Sequence, residues 1–411
     1  MKILHLCDSL NPAGLGGYES YLYYLSEQLA KRGHESVVVT QSPSHNSPST
    51  IAFEHYRVFH LPGNYLEARK WEFLALPEED RETVVEHMFQ SDDLELNVRA
   101  LQEQLENLIL DLKPDLIHAH SVYVVFNRVL QGLREDGVLD NLPSVVTIHG
   151  RPKPLVLPGG EKTTDYDTFV DSCPFSLILA VSNNVAEVLR DYLSRRELDI
   201  PVQTLYLGIN LSVFSPRPEA TKQWDVAFLG RLETMKAVDL FPEMLSRLKP
   251  DFPNLKFLMT GEGSYKDKLL RGFDNEGVID MVDYLGVVET ERVPDLINQS
   301  RIFIYPSREE PFGLSILEAM ACGVPVVTTN VFGPSEIITQ NKDGLAVPPG
   351  DVDELVKAVR SLLENPKLRT EIGKNGRLTV KTKFDIRIHD EKLLEVYQEL
   401  VKTHKAGRAD S

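Results

Sequence analysis

The chain has 411 residues, of which 42% are hydrophobic, 26% charged and 8% aromatic. These are globular values for a chain long enough to hold two or three domains, and they exclude disordered, collagenous and low-complexity classes. With 44 basic and 61 acidic residues the net charge is −17, which excludes a general nucleic-acid binder or a strongly basic membrane-surface protein but leaves room for a local basic pocket.

KILHLC at 2–7 is an apolar run of strand length, and the N-terminus shows no signal-peptide pattern. The loop DSLNPAGLGG follows. Tyr18, Tyr21, Leu22, Leu25 and Leu29 then recur at helical spacing, Gly33 reads as the C-cap, and Val37, Val38 and Val39 form the next strand. Strand, glycine loop, helix and strand make the βαβ unit of a parallel sheet. Further strands are predicted at 115–119, 144–148, 177–181 and 202–205, with helices at 95–112, 122–135 and 184–194. A second series has strands at 226–229, 256–260, 281–285, 302–305 and 325–328, with helices at 238–248, 264–273, 292–299, 312–322 and 352–364. Between the two series, 211–223 holds two prolines and little periodicity and reads as a linker. The domains are therefore expected at 1–210 and 224–385.

The segment 72–106 carries eleven acidic residues against Arg81 and Arg99 and reads as a solvated face on a helical insertion. Cys7, Cys173 and Cys322 are odd in number and widely spaced, so neither a disulfide framework nor a zinc cluster is indicated. No run of about 18 apolar residues occurs, and a soluble, cytoplasmic setting is expected.

Three motifs carry chemistry. Gly14-Leu15-Gly16-Gly17, between a strand and a helix, lets backbone amides approach a phosphate. It lacks the third glycine of the dinucleotide fingerprint, where Glu19 stands, and the lysine of a P-loop. Gly230-Arg231-Leu232, with Lys236 beyond it, follows a parallel strand at the end where open α/β sheets bind ligands. Arginine supplies a fork for phosphate oxygens and lysine a point charge; the plainer alternative is a pair of surface cations. The third motif is YPSREEPFGLSILEAMACGVP at 305–325. Its helix starts near Phe312-Gly313, with Leu314, Leu317 and Ala321 facing the core and Glu318 on the flank of that face. Glu310 precedes the helix, either as a cap or as a ligand group. A carboxylate against an apolar stripe needs a partner, and sugar hydroxyls are suitable donors.

In GLGGYESYLYYLSEQLAKRGHE, DLIHAHS, TIHG, AVSNN, LYLGINLSVFSP, FLGRLETMK, FLMTGEG and EEPFGLSILEAMACGVPVV the chain resembles a retaining GT-B glycosyltransferase of family 4, also called group 1, over about residues 2–350. The resemblance implies an α/β fold of two Rossmann-like parallel-sheet domains facing across a cleft. It places a C-terminal helix around 386–403, within a final segment 386–411, that crosses back to the first domain. It also implies hexosyl transfer from a nucleotide diphosphate sugar to an acceptor hydroxyl, with no cofactor. By the same resemblance Glu318 binds the donor ribose and Glu310 the transferred sugar. Arg231 and Lys236 hold the diphosphate, and Gly263, Phe312, Gly313 and Leu314 also line the donor. Gly16 and Gly17 approach phosphate and sugar, His120 lies near the anomeric centre, and His149 is on the acceptor side. UDP-glucose-type donors are the first expectation and GDP-mannose the second.

Ala237 departs from the family, which commonly has glycine after the lysine. Asp165-Tyr166-Asp167 matches a metal motif of the other glycosyltransferase fold, but it sits in a polar loop with no strand before it, so no essential metal is expected. His118 and His120, two apart on a strand, share a face; two histidines at that spacing suit a metal, but no third ligand is suggested nearby. A nucleotide-sugar 2-epimerase and a non-enzymatic nucleotide-sugar-binding protein are the alternatives. The sugar, the base, the acceptor and the oligomeric state stay open.

Overall fold

The computed structural model describes residues 1–7, 17–42, 49–62, 92–120, 124–152, 154–156, 162–164, 173 and 175–409. Gly16, most of the acidic segment (72–91) and Asp165-Tyr166-Asp167 lie outside the described residues. The described residues form two compact units, one of residues 1–7, 18–205 and 390–409, the other of Gly17 and Tyr206–His389.

The first unit is built on eight strands: β1 (Lys2–Cys7), β2 (Glu35–Ser42), β3 (Ser49–Ala52), β4 (Tyr56–Pro62), β5 (Leu116–His120), β6 (Ser144–Ile148), β9 (Leu177–Ala180) and β10 (Val202–Thr204). A separate antiparallel ribbon pairs β7 (Pro154–Val156) with β8 (Lys162–Thr164). The sheet order is β10-β9-β6-β5-β1-β2-β4-β3. Every pairing is parallel except β3 with β4. The core strands are apolar on both faces because helices cover both; Ile3, Leu4 and Leu6 are completely buried. The sequence does not signal β3 and β4, since STIA is an exposed edge and YRVFHLP mixes polar with apolar residues. The helices are α1 (Gly17–Lys31), α2 (Asp92–Leu112), α3 (Val124–Glu135) and α4 (Asn183–Arg195). Ser182 caps α4 by accepting the Val185 N–H at 3.2 Å. On α2, Leu101, Leu105 and Ile109 point inward while Leu96 and Leu110 are exposed. β1 and β5 are neighbours at which the chain order reverses, the kind of point where open α/β sheets form ligand crevices.

The second unit has six parallel strands: β11 (Trp224–Leu229), β12 (Phe257–Thr260), β13 (Val282–Tyr284), β14 (Ser300–Tyr305), β15 (Val326–Thr329) and β16 (Leu345–Val347), in the order β13-β12-β11-β14-β15-β16. Its reversal point lies between β11 and β14. Seven helices flank the strands: α5 (Phe241–Leu248), α6 (Lys266–Asn275), α7 (Val293–Asn298), α8 (Leu314–Ala321), α9 (Phe332–Ile337), α10 (Val352–Glu364) and α11 (Pro366–Lys383). The sequence gives no apolar period for α11 because glycines form part of its buried face. Gly373 and Gly376 pack inward, and a Cβ on Gly373 would stand 2.2 Å from the Gly323 carbonyl oxygen. A last helix, α12 (Ile386–Ala409), begins in this unit, and from Asp390 on it belongs to the first. No described helix is long and apolar enough to cross a membrane.

The stretch read as a linker, 211–223, is fastened into the second unit. Buried Asn298 accepts the Arg217 N–H at 2.8 Å and donates to the carbonyls of Ser215 (3.0 Å) and Pro294 (2.9 Å). Lys222 donates to the carbonyls of Asn298 and Ser300. An orphaned buried polar group costs about 1–3 kcal/mol, so Asn298→Ala is expected to destabilise the second unit by about 2–4 kcal/mol. Urea unfolding followed by the fluorescence of Trp224, in a Trp71→Phe background, measures this. A loss below about 0.5 kcal/mol, the range of a neutral surface change, would mean the segment is not anchored there.

Candidate active site

Three loops at the carboxyl ends of β12, β11 and β14 meet in the second unit. The first two are pressed together at glycines. A Cβ on Gly263 would stand 2.4 Å from the Leu232 carbonyl oxygen, and one on Gly261 2.0 Å from that of Gly230. Gly261 also has φ +112°, a conformation that favours glycine. Buried Glu233 ties the same loops by accepting from the Ser264 N–H at 3.1 Å and its hydroxyl at 2.7 Å. Arg308, after β14, grips the β11 loop through a bidentate pair with Asp239 (2.6 and 2.8 Å) and a bond to the Thr234 carbonyl.

Held by these ties, Lys236 meets Glu310 across the reversal point. Lys236 Nζ donates to Glu310 Oε2 at 2.6 Å, with side chains only 8% and 11% exposed, and lies 5.1 Å from the Tyr305 ring centroid. Lys236 is therefore not a surface cation. Burial alone would lower its pKa, but the Glu310 carboxylate and Tyr305 outweigh burial and hold the pKa above the ordinary lysine value. Arg231 stands beside this pair half-buried. Its guanidinium touches Met235 Sδ at 4.0 Å and pairs with no carboxylate among the described residues. Ala237 takes the left-handed turn (φ 54°, ψ 31°) with its methyl fully buried, so the turn keeps its shape without glycine. That conformation costs an L-residue about 1–2 kcal/mol.

Gly313, at φ +114°, is the N-cap of α8, and no side chain caps the helix. Glu310 is not the cap, since its carboxylate faces Lys236. Phe312 is buried against Tyr206 (centroids 5.9 Å, stacked) and Phe384 (6.0 Å). Gly333 presses on its backbone, where a Cβ would stand 2.3 Å from the Phe312 Cα. What Phe312, Gly313 and Leu314 offer a ligand is thus their amides at a helix N-terminus. The expected single apolar stripe on α8 is corrected. Leu314 is half-buried, while Ile316, Leu317, Ala319, Met320 and Ala321 are all buried, so the helix is enclosed on most sides. Half-buried Glu318 makes no side-chain hydrogen bond or ion pair with any described residue, and desolvation pushes its pKa up to about 7.

In the first unit, the reversal point between β1 and β5 is filled with histidines. His5 and His118 are partners in the parallel register, and His118 and His120 share one face with ring centroids 4.0 Å apart. The expectation that no third ligand lies near them is corrected: His5 brings its ring within reach, and nitrogens of the three lie within 4.8 Å of one another. Both His118 nitrogens are engaged, however, Nε2 with Thr147 Oγ1 at 2.7 Å and Nδ1 with Tyr397 OH at 2.5 Å. His5 Nδ1 pairs with His120 Nε2 at 3.2 Å, and burial lowers the His5 pKa to about 3. The three rings are accordingly joined in a hydrogen-bonded network in which burial keeps His5 neutral. His149 lies 5.9 Å from the His120 ring, and Tyr21 6.0 Å. Gly17 is the first residue of α1, and Gly16 lies outside the described residues.

The family model described as Glycosyltransferase Family 4 matches residues 15–213, and that described as Glycosyl transferases group 1 matches 213–379. The chain is a family 4, group 1 type glycosyltransferase. It is 25% identical over 399 residues to the glycogen synthase of Mycobacterium tuberculosis, covering 94% of this chain and 91% of that one. It is 27% identical to the D-inositol 3-phosphate glycosyltransferase of Paenarthrobacter aurescens, covering 87% of each. Its fold is similar to that of sucrose-phosphate synthase from Thermosynechococcus elongatus (TM-score 0.77, 21% identity, 98% and 99% covered). It is also similar to Anabaena HepE in complex with UDP and glucose (TM-score 0.70, 19% identity, 97% and 99% covered). The enzyme has the GT-B fold of two Rossmann-like parallel-sheet domains.

Sequence reasoning about this glycosyltransferase passed over Glu233, Arg308, Gly333, His5 and Tyr397. His5 left one signal, as a polar residue in the middle of an apolar strand. The buried pair sets a testable energetic condition. Lys236→Ala leaves Glu310 buried without its cation and is expected to cost about 3–5 kcal/mol, whereas Lys236→Met with Glu310→Leu restores most of that loss. Denaturant unfolding of the wild type and both variants measures this; equal stability of Lys236→Ala and wild type would show that the pair is solvated.

Proposed function

We propose that the enzyme is a retaining hexosyltransferase that moves a sugar from a nucleotide diphosphate to an acceptor hydroxyl, with UDP-glucose-type donors first and GDP-mannose second. One observation carries this reading: the second unit holds an Arg231 guanidinium without a carboxylate, the Lys236 ammonium beside it and a Glu318 carboxylate without a partner, all among the described residues. Two cations suit a diphosphate and a carboxylate suits ribose hydroxyls. The Anabaena relative in fold, solved with UDP and glucose and with UDP-glucose, supports a UDP-sugar donor.

In this reading the bond from the anomeric carbon to the diphosphate breaks first. Arg231, Lys236 and the amides at the start of α8 stabilise the anion that departs, a preorganised charge environment that forms before the reaction. Glu310 orients the sugar. A leaving-group oxygen takes the acceptor proton on the face it vacates, which retains configuration. We assign His120 to the reacting sugar and His149 to the acceptor. Two protein cations stand where a divalent ion would otherwise neutralise the diphosphate, so we assign the reaction no metal. The three cysteines, all free, suit a cytoplasmic enzyme.

The Glu318 pKa sets the pH dependence of donor binding. Ribose hydroxyls favour the ionised carboxylate, and ionisation is costly below about pH 7. Donor affinity is therefore expected to rise by roughly tenfold from pH 6 to pH 8, with proton release on binding. Calorimetry with UDP-glucose and with GDP-mannose, both in EDTA, measures this; neither donor titrates in that window. Glu318→Gln is expected to flatten the dependence and weaken binding by roughly 1.5–3 kcal/mol. Wild-type affinity in that variant, or binding restored only by Mg²⁺ or Mn²⁺, would contradict the assignment.

A further inference from the structure

We propose that Tyr397, on the C-terminal helix α12, is a positioning residue for His120, acting through His118. As a claim about catalysis this rests on the assignment of His120 to the reacting sugar; as a claim about ring geometry it stands alone.

Tyr397 lies 279 residues from His118 in sequence, is fully buried, and meets His118 Nδ1 through its hydroxyl at 2.5 Å. Thr147 Oγ1, on β6, holds the opposite nitrogen at 2.7 Å. A neutral imidazole has one donor and one acceptor. Two hydroxyls, each able to give or take, satisfy both nitrogens and clamp the ring between β6 and α12. His120 packs on that clamped ring at 4.0 Å between centroids, tilted by 35°. It is also bonded to His5, whose Nδ1 meets His120 Nε2 at 3.2 Å and whose Nε2 faces Ser36 Oγ at 3.4 Å. In an imidazole–imidazole bond one ring donates and the other accepts, so the tautomers of His5 and His120 are coupled. Three sequence-distant elements, β1, β6 and α12, thereby fix one side chain. Burial, and with it Asp390, also on α12, raises the pKa of both Tyr21 and Tyr397, so both phenols stay protonated. Without the Tyr397 hydroxyl, His118 loses its bond at Nδ1, and the ring on which His120 packs is held less firmly.

The test is Tyr397→Phe, which keeps the ring packing and removes one oxygen. In protein labelled with ¹⁵N-histidine, long-range ¹H–¹⁵N spectra report each ring's tautomer, with assignment by single His→Gln variants. Wild type is expected to show His120 in one tautomer. Tyr397→Phe is expected to show a tautomer mixture at His118 and shifted ring signals at His120. Its kcat for acceptor-free hydrolysis of UDP-glucose or GDP-mannose, whichever binds, is expected to fall by about tenfold at unchanged KM, as for a small misplacement of a reacting group. Thr147→Val, which removes the opposite bond, is expected to do the same and supplies the test should Tyr397→Phe not fold. Unchanged His120 signals in a folded variant overturn the proposal. His120→Ala run in parallel separates the two claims: full turnover there removes His120 from the reaction and leaves the ring geometry to be judged by the spectra alone.

Discussion

An ammonium taken out of water stays charged only if a carboxylate meets it at hydrogen-bond distance, and in this protein that condition is satisfied between two strands that are not consecutive in the chain. Lys236 follows β11 and Glu310 follows β14, the neighbours at which the second sheet reverses direction. Much of the surrounding structure serves to hold the pair at 2.6 Å. Glu233 fastens the β11 loop to the β12 loop through Ser264, Arg308 fastens it to the β14 loop through Asp239, and Gly333 closes on the backbone of Phe312. A buried ion pair adds little to net stability. What it contributes here is position: a cation kept dry and fixed beside the Arg231 fork, where water screens its field less.

The first unit solves the same topological problem with opposite chemistry. Its reversal point, between β1 and β5, is filled by imidazoles in hydrogen bonds with hydroxyls and with one another. Burial holds His5 neutral. On the proposed reading one sheet presents cations suited to a leaving anion, the other imidazoles suited to a polar sugar. On that reading the two halves share an architecture and divide the chemistry, which lives in the loops and strand ends and not in the fold.

Much of this was legible in the sequence where a single local rule governed. KILHLC gave β1 because it is buried on both faces, and 352–364 gave α10 because its apolar residues recur at helical spacing. Arg231, Lys236, Glu310 and Glu318 could be named from the loops they follow and the helix they flank. The partnerships could not. Lys236 and Glu310 are 74 residues apart, and no spacing rule joins them. His5 was hidden inside an apolar run, and Tyr397 lay on a helix whose role was known only by resemblance. Where glycine replaces the apolar residue, as at Gly373 and Gly376 of α11, hydrophobic periodicity is silent although packing is tightest. Leu314 shows the converse, an apolar residue at the expected core position that ends half-buried because it opens its helix beside the site.

The central claim is that the dry Lys236 cation exists to meet the diphosphate of a donor. Calorimetric titration of UDP-glucose and GDP-mannose, in EDTA, into the wild type and the Lys236→Met/Glu310→Leu double variant tests it most directly, because the double variant removes the charges without leaving either one buried alone. The account predicts a folded variant, stable to within about 2 kcal/mol of wild type, whose affinity for the better donor is reduced at least tenfold. A folded double variant that binds both donors as tightly as wild type would contradict it.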